Sequence, residues 1–190
     1  MIPEPCVATI GFFDGVHMGH RYLIQQVKEI AAAKGLRSAL VTFPVHPRKV
    51  MNAAYHPELL TTPEEKTNLL AGTGVDYCLM LDFTPDISRL TAKEFMTQIL
   101  KERFQVKYLV IGYDHRFGHN RSEGFDDYVR YGQAIGIEVI RAQAYTDDIQ
   151  IDTIQSAPVS SSLIRKLLHQ GDVDVAARCL GYESFLDGTV

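Results

Sequence analysis

Two histidines three residues apart, His17 and His20, close the run Gly11-Phe12-Phe13-Asp14-Gly15-Val16-His17-Met18-Gly19-His20. The apolar, β-branched residues 7–10 before it predict a buried strand, and the periodicity after it predicts a helix opening near Gly19. A helix N-terminus carries unpaired amide N–H groups and a partial positive charge, so it seats phosphate readily. Positions i and i+3 share a helix face, which lets both imidazoles address one bound group. Gly19 between them removes a side chain that would hold a bulky anion away from the backbone. The chemistry implied is the handling of a nucleoside triphosphate.

Three further segments carry unusual residue types. Phe43-Pro44-Val45-His46-Pro47-Arg48 is stiffened by two prolines of fixed φ and could hold one face of a flat aromatic ring. Gly112-Tyr113-Asp114-His115-Arg116-Phe117-Gly118 brackets a carboxylate, an imidazole and an aromatic between glycines, with Arg116, His119 and Arg121 adding local positive charge. Val159-Ser160-Ser161-Ser162-Leu163-Ile164-Arg165 opens on a strong helix N-cap and offers hydroxyls followed by a guanidinium, a second seat for an anion. Each has a plainer reading as well: a rigid surface turn, a solvated charged loop, a simple cap. A protein-held metal is disfavoured, because H-x-x-H alone supplies too few ligands and His46, His56, His115, His119 and His169 form no zinc pattern with it.

Taken in order, these segments resemble the bacterial FAD synthetases, within the nucleotidyltransferase superfamily marked by H-x-G-H. The signature G-x-F-D-G-x-H-x-G-H falls on residues 11–20. F-x-P-H-P is matched by Phe43, His46 and Pro47, with Val45 where the family has its first proline. G-x-D/N-F-x-F-G falls on 112–118 with His115 in place of the first aromatic, and I-S-S-T-x-I-R on 159–165 with Val159 and Ser162 substituted. Residues 60–66 and Leu180-Gly181-Tyr182 also resemble family segments. The resemblance spans the chain and implies an FMN adenylyltransferase that converts ATP and FMN to FAD and pyrophosphate. It implies catalytic roles for His17, His20, Asp114 and Arg165. ATP contacts would come from Gly11, Phe12, Phe13, Asp14, Gly19, Ser160, Ser161 and Ser162, and FMN contacts from Pro47 and Phe117. Mg²⁺ would arrive with ATP, without an assigned protein ligand. In the family a riboflavin kinase module follows, so residues 1–182 are expected to form the adenylyltransferase domain and 183–190 the start of that module. Competing readings are another H-x-G-H adenylyltransferase, a class I aminoacyl-tRNA synthetase core, and a non-catalytic nucleotide-binding module.

The elements that must position these segments alternate as strand and helix, which predicts an α/β, Rossmann-like nucleotidyltransferase fold: a five-stranded, mostly parallel sheet with helices on both faces. Strands are expected over 7–13, 38–43, 76–82, 106–111 and 137–141. Helices are expected over 19–34, 62–70, from the capping box Thr91-Ala92-Lys93-Glu94, over 125–133, over 160–168 and from Asp172. The first should bury Leu23, Val27 and Ile30; the fourth segment's neighbour after Asp172 should bury Val173, Ala176, Ala177 and Leu180. Residues 145–158 read as a short hairpin or flap. In such sheets ligands bind at the carboxyl ends of strands near the switch in strand order, where three of the four segments would meet.

With 190 residues, 46% hydrophobic and 22% charged, the chain can bury the core of one compact domain. A net charge of −4 argues against nucleic acid as a partner, and no apolar run approaches the length of a membrane span. The N-terminus lacks signal-peptide character, which points to the cytoplasm. Cys6, Cys78 and Cys179 stand apart and read as small buried hydrophobes.

Overall fold

The structure, a computed structural model, describes residues 4–112, 115–119, 122–145 and 158–183. Five strands form one sheet: β1 (Cys6–Ile10), β2 (Arg37–Thr42), β3 (Tyr77–Met80), β4 (Val106–Ile111) and β5 (Glu138–Arg141), in the order β3-β2-β1-β4-β5. Every pairing is parallel. The central strands are apolar on both faces, as a sheet covered on both sides requires. The chain runs outward from β1 to β3, returns, and adds β4 on the other side of β1. The switch in order therefore falls between β1 and β4.

Helix α1 (Met18–Lys34) crosses from β1 to β2 and ends at Gly35, whose φ of 64° suits the left-handed cap. Its buried stripe is Ile24, Val27 and Ala31, one position around from the expected face, so Leu23 and Ile30 are only half-buried. Helix α3 (Pro63–Ala71) opens with the expected capping box, Thr62 and Glu65 exchanging hydrogen bonds, and with proline in its first turn. The box at Thr91 and Glu94 starts α5 (Ala92–Glu94), which continues as a π-helix over Phe95–Arg103. Phe95, Met96, Ile99 and Leu100 are all buried there, as their spacing predicted. Helices α6 (Phe125–Ile135), α7 (Ser161–Gln170) and α8 (Val173–Leu180) complete the set, with α7 capped by Ser160.

Several expectations are corrected. Strand β1 stops at Ile10, because the following residues leave the sheet for a tight turn. Two short helices, α2 (Pro47–Met51) and α4 (Pro85–Arg89), stand where the rigid turn after β2 is expected and in the stretch after β3; each has proline in its first turn and a side-chain cap, from His46 Nδ1 and Thr84 respectively. Val173 is 56% exposed because the first turn of α8 projects past the neighbour that buries Ala176, Cys179 and Leu180. Ala177 is half-buried. Cys6 and Cys179 are buried, but Cys78 is exposed, since β3 is an edge strand covered on one face only. The hairpin or flap expected over 145–158 lies almost entirely outside the described residues, as does 184–190. No described helix is long and apolar enough to cross a membrane.

Candidate active site at the carboxyl ends of β1 and β4

The turn after β1 is strained. Phe13 has φ 58°, Val16 φ 37° and Gly15 φ 74°, and the first two are left-handed conformations that side chains ordinarily avoid. Polar contacts from distant parts of the chain hold it. The Gly15 amide donates to Thr61 Oγ1 at 3.2 Å, Tyr182 Oη donates to the Gly15 carbonyl at 2.7 Å, and Ser161 Oγ donates to the Asp14 carbonyl at 3.0 Å. Arg21 Nε donates to the Val16 carbonyl at 3.0 Å. Gly15 is required twice over: by its φ, and because a Cβ there would stand 2.9 Å from Leu60 Cδ1.

Asp14 sits at the centre of this arrangement, 4% exposed. Its Oδ1 accepts from the Leu60 amide (2.9 Å) and the Thr61 amide (3.3 Å), and its Oδ2 accepts from Arg165 Nη2 at 2.6 Å. Arg165 Nε donates to the Glu58 carbonyl. The guanidinium of the late helix is thereby fixed to a residue three positions before the first histidine, and the starts of α1 and α7, to which the resemblance assigned His17, His20 and Arg165, meet. The carboxylate of Asp14 itself is turned inward and committed to this clamp.

His17 caps α1. Its Nδ1 accepts from the His20 amide at 3.3 Å, so the neutral ring carries its hydrogen on Nε2 and presents a donor there. The His17 and His20 rings stack with centroids 3.6 Å apart and an interplanar angle of 17°, and Phe13 meets His20 edge-on at 5.2 Å. Phe13 is buried among Val16, Ile24, Leu40 and Leu70, so its ring buttresses His20 from the core. Burial, with the positive charge of Arg165 second, pushes His17 down to about 4; burial, then His17 and His115, holds His20 well below its usual value. Both rings are neutral near pH 7. His20 Nδ1 is buried and has no hydrogen-bond partner among the described residues. Gly19 has a packing reason the sequence did not reveal: a Cβ there would lie 3.1 Å from the Val159 carbonyl and 3.2 Å from the His17 ring.

The depressed value of His17 has a measurable consequence. An unfolded imidazole binds its proton near pH 6.5, whereas the folded one binds it only near 4. Between these values the unfolded chain holds more protons, so this group's stabilisation is complete above 6.5 and is lost as pH falls toward 4, by about 3 kcal/mol. His17→Asn keeps a cap acceptor without the titration. Its urea-unfolding stability should therefore fall less steeply than the wild type's across that window; parallel slopes would contradict the assignment.

The serine cluster divides its labour. Ser160 Oγ accepts from the Leu163 amide as N-cap, Ser161 reaches Asp14, and Ser162 is exposed. Tyr182, within the late Leu-Gly-Tyr segment, gains a role the sequence did not assign, by holding the Gly15 carbonyl.

On the other face of the β1 tip lies a cavity of about 520 Å³. Phe12, Phe43, Phe83 and Phe117 supply aromatic lining, and His46, Arg48, His115 and Arg116 supply polar groups beside Pro47. The rigid segment after β2 and the loop after β4 therefore meet around one space, as expected. Phe117 is mostly covered: it stacks on Tyr128 at 4.3 Å, and Tyr128 Oη hydrogen-bonds the Phe117 backbone. Asp114 lies outside the described residues. Sequence reasoning missed Lys66. It is 2% exposed, donates to the Phe43 carbonyl at 2.7 Å and lies 3.8 Å from the Phe12 ring centroid.

Comparisons with known proteins bear on the family. Residues 1–158 match the FAD synthetase family model. A bifunctional riboflavin kinase/FMN adenylyltransferase of Listeria monocytogenes is 34% identical over 97% of this chain and 56% of its own length. The protein of the same description in Escherichia coli K12 is 32% identical over 98% and 58%. The chain thus spans a little over half the length of these curated relatives. A crystal structure described as a macrolide-efflux protein from Streptococcus pneumoniae superposes with a TM-score of 0.81 at 28% identity, covering 97% of this chain and 67% of that one. A family match over most of the chain, with relatives above 30% identity along nearly all of it, leads to one conclusion: this chain belongs to the FAD synthetase family.

Proposed function

We propose that this chain is an FMN adenylyltransferase, forming FAD and pyrophosphate from ATP and FMN. The observation that carries the reading is the junction of the two helix tips. Arg165 and Ser161 of α7 are tied to Asp14 beside the stacked pair His17 and His20, next to an aromatic-lined cavity.

In this reading an FMN phosphate oxygen attacks the α-phosphorus of ATP in line, the bond to the bridging oxygen breaks, and pyrophosphate leaves with that electron pair. Such a transfer needs positioning and charge stabilisation rather than a protein nucleophile. The Met18 and Gly19 amides precede the first intrahelical bond of α1 and face the phosphates together with His17 Nε2–H. His20 donates to the α-phosphoryl oxygen or the leaving bridge. Arg165, oriented by Asp14 and Glu58, uses its remaining Nη1 on the β- and γ-phosphates with the first amides of α7. The isoalloxazine ring occupies the cavity against Pro47 and Phe117, which Arg48 and Arg116 also line. Mg²⁺ would enter with the ATP substrate, where it would neutralise phosphate charge. Asp114 would act near the reacting phosphates.

The curated relatives carry a riboflavin kinase function in the same polypeptide; the residues described here correspond to the adenylyltransferase part. Incubation with ATP, Mg²⁺ and, separately, FMN, nicotinamide mononucleotide or pantetheine phosphate tests the reading. FAD and pyrophosphate should appear with FMN alone. Pyrophosphate only with another acceptor would favour a different adenylyltransferase, and none with any acceptor would favour a non-catalytic nucleotide-binding module.

A further inference from the structure

Lys66 poses a physical problem. Its side chain is 2% exposed on α3, yet among the described residues it forms no ion pair, and its hydrogen bond goes to a backbone carbonyl. An ammonium removed from water is costly unless its surroundings replace the lost hydration. Here one hydrogen bond to the Phe43 carbonyl and the face of Phe12 do so, the latter at a distance suited to a strong cation–π contact. These two partners are not arbitrary. Phe12 belongs to the turn that carries His17 and His20, and its ring lines the cavity beside His46, which it meets edge-on at 4.7 Å. Phe43 is the last residue before the Pro44-Val45-His46-Pro47 corner. The ammonium joins the segment proposed for ATP to the segment proposed for the flavin.

We propose that Lys66 is a positioning residue for adenylyl transfer, its buried ammonium holding the flavin-side corner after β2 in register with the phosphate-side turn after β1. This rests on the function proposed above. The two segments are unequally dependent on it. The turn after β1 has its own clamp in Asp14, Thr61, Ser161 and Tyr182, whereas the corner after β2 is held more sparsely, by Lys66 at the Phe43 carbonyl, by the Thr42 Oγ1 hydrogen bond to the Phe12 carbonyl at 3.3 Å and by the edge contact of Phe12 with His46. Loss of Lys66 therefore disturbs the flavin side most.

The charge state matters too. Burial lowers Lys66 to about 8, with Asp14 and then Cys78 acting in the opposite direction. The groups facing it are Asp14 from the turn after β1, Cys78 from β3 and His46 at the start of α2, the last lowered in part by Lys66 itself. Neutral Lys66 loses the cation–π contact and weakens its grip on the Phe43 carbonyl, so FMN use should decline as pH rises through about 8.

The test is Lys66→Met, close in shape and compatible with burial, with Lys66→Arg as the charge-conserving control. Lys66→Met should remain folded, raise the KM for FMN about tenfold, change the KM for ATP less than twofold, and lose the alkaline decline in kcat/KM for FMN. Lys66→Arg should retain part of the FMN affinity. An unchanged FMN KM with an unchanged pH profile would overturn the proposal. So would equal losses for both substrates that follow only a lowered unfolding midpoint. Hydrogen exchange separates this inference from the reaction itself. Even if the wild type made no FAD, Lys66→Met must raise exchange in residues 44–49 more than in 15–20; equal or unchanged exchange would overturn it.

Discussion

His20→Ala is expected to slow FAD formation by about 10²-fold or more while leaving the fold intact, the scale of losing one donor aimed at developing charge. The structure separates the roles of the two imidazoles. His17 caps α1, so its removal mixes a structural loss with a chemical one. His20 caps nothing: its ring is held by stacking on His17 and by the edge of Phe13, and its buried Nδ1 meets no partner among the described residues. A ring kept neutral and desolvated so close to a helix tip strengthens any hydrogen bond it makes to phosphate. Single-turnover rates at saturating ATP and FMN are the measurement, with circular dichroism as the control for folding. A rate within threefold of wild type would remove His20 from the reaction.

The fold was legible because its signals are local. Capping boxes at Thr62 and Thr91 fixed two helix starts, glycines at 35 and 171 fixed two ends, and the alternation of strand and helix patterns announced a parallel sheet covered on both faces. The errors are also local in origin. Periodicity located the apolar stripe of α1 only to within one position, since Leu23-Ile24 and Ile30-Ala31 offer adjacent choices that only the sheet resolves. Two prolines in the segment after β2 suggested a rigid loop, although proline is equally at home in a helix's first turn, where Pro47 stands. The gathering of the motifs at one end of the sheet followed from strand order. Their internal contacts did not. Nothing in the order of residues says that Asp14 turns inward, that Ser161 spans 147 positions to its carbonyl, or that Tyr182 holds the next one. Lys66 was hidden for the same reason, because a lysine on an amphipathic helix is ordinarily solvated and only tertiary packing buries it.

The second large effect concerns that inward carboxylate. Asp14→Ala should lower stability by about 3 kcal/mol or more, read from urea unfolding. It would orphan the Leu60 and Thr61 amides, and it would leave Arg165, 26% exposed, without the partner that neutralises it. It would also release the strained residues Phe13 and Val16 from the best-anchored point of their turn, so ATP affinity should fall with stability. Asp14→Asn divides these contributions. The amide oxygen can still accept from Leu60 and Thr61, while the charge facing Arg165 is lost, so its cost should be smaller, about 1–2 kcal/mol. Pairing Asp14→Asn with Arg165→Gln then isolates the ion pair: a coupling energy above about 1 kcal/mol is expected for a contact at 2.6 Å with one partner buried. Additive single effects would mean that Arg165 is held chiefly by the Glu58 carbonyl. In that case Asp14 would fasten the segment around Leu60 and Thr61 to the turn, and the orientation of the guanidinium toward the phosphates would come from the chain before α3 instead.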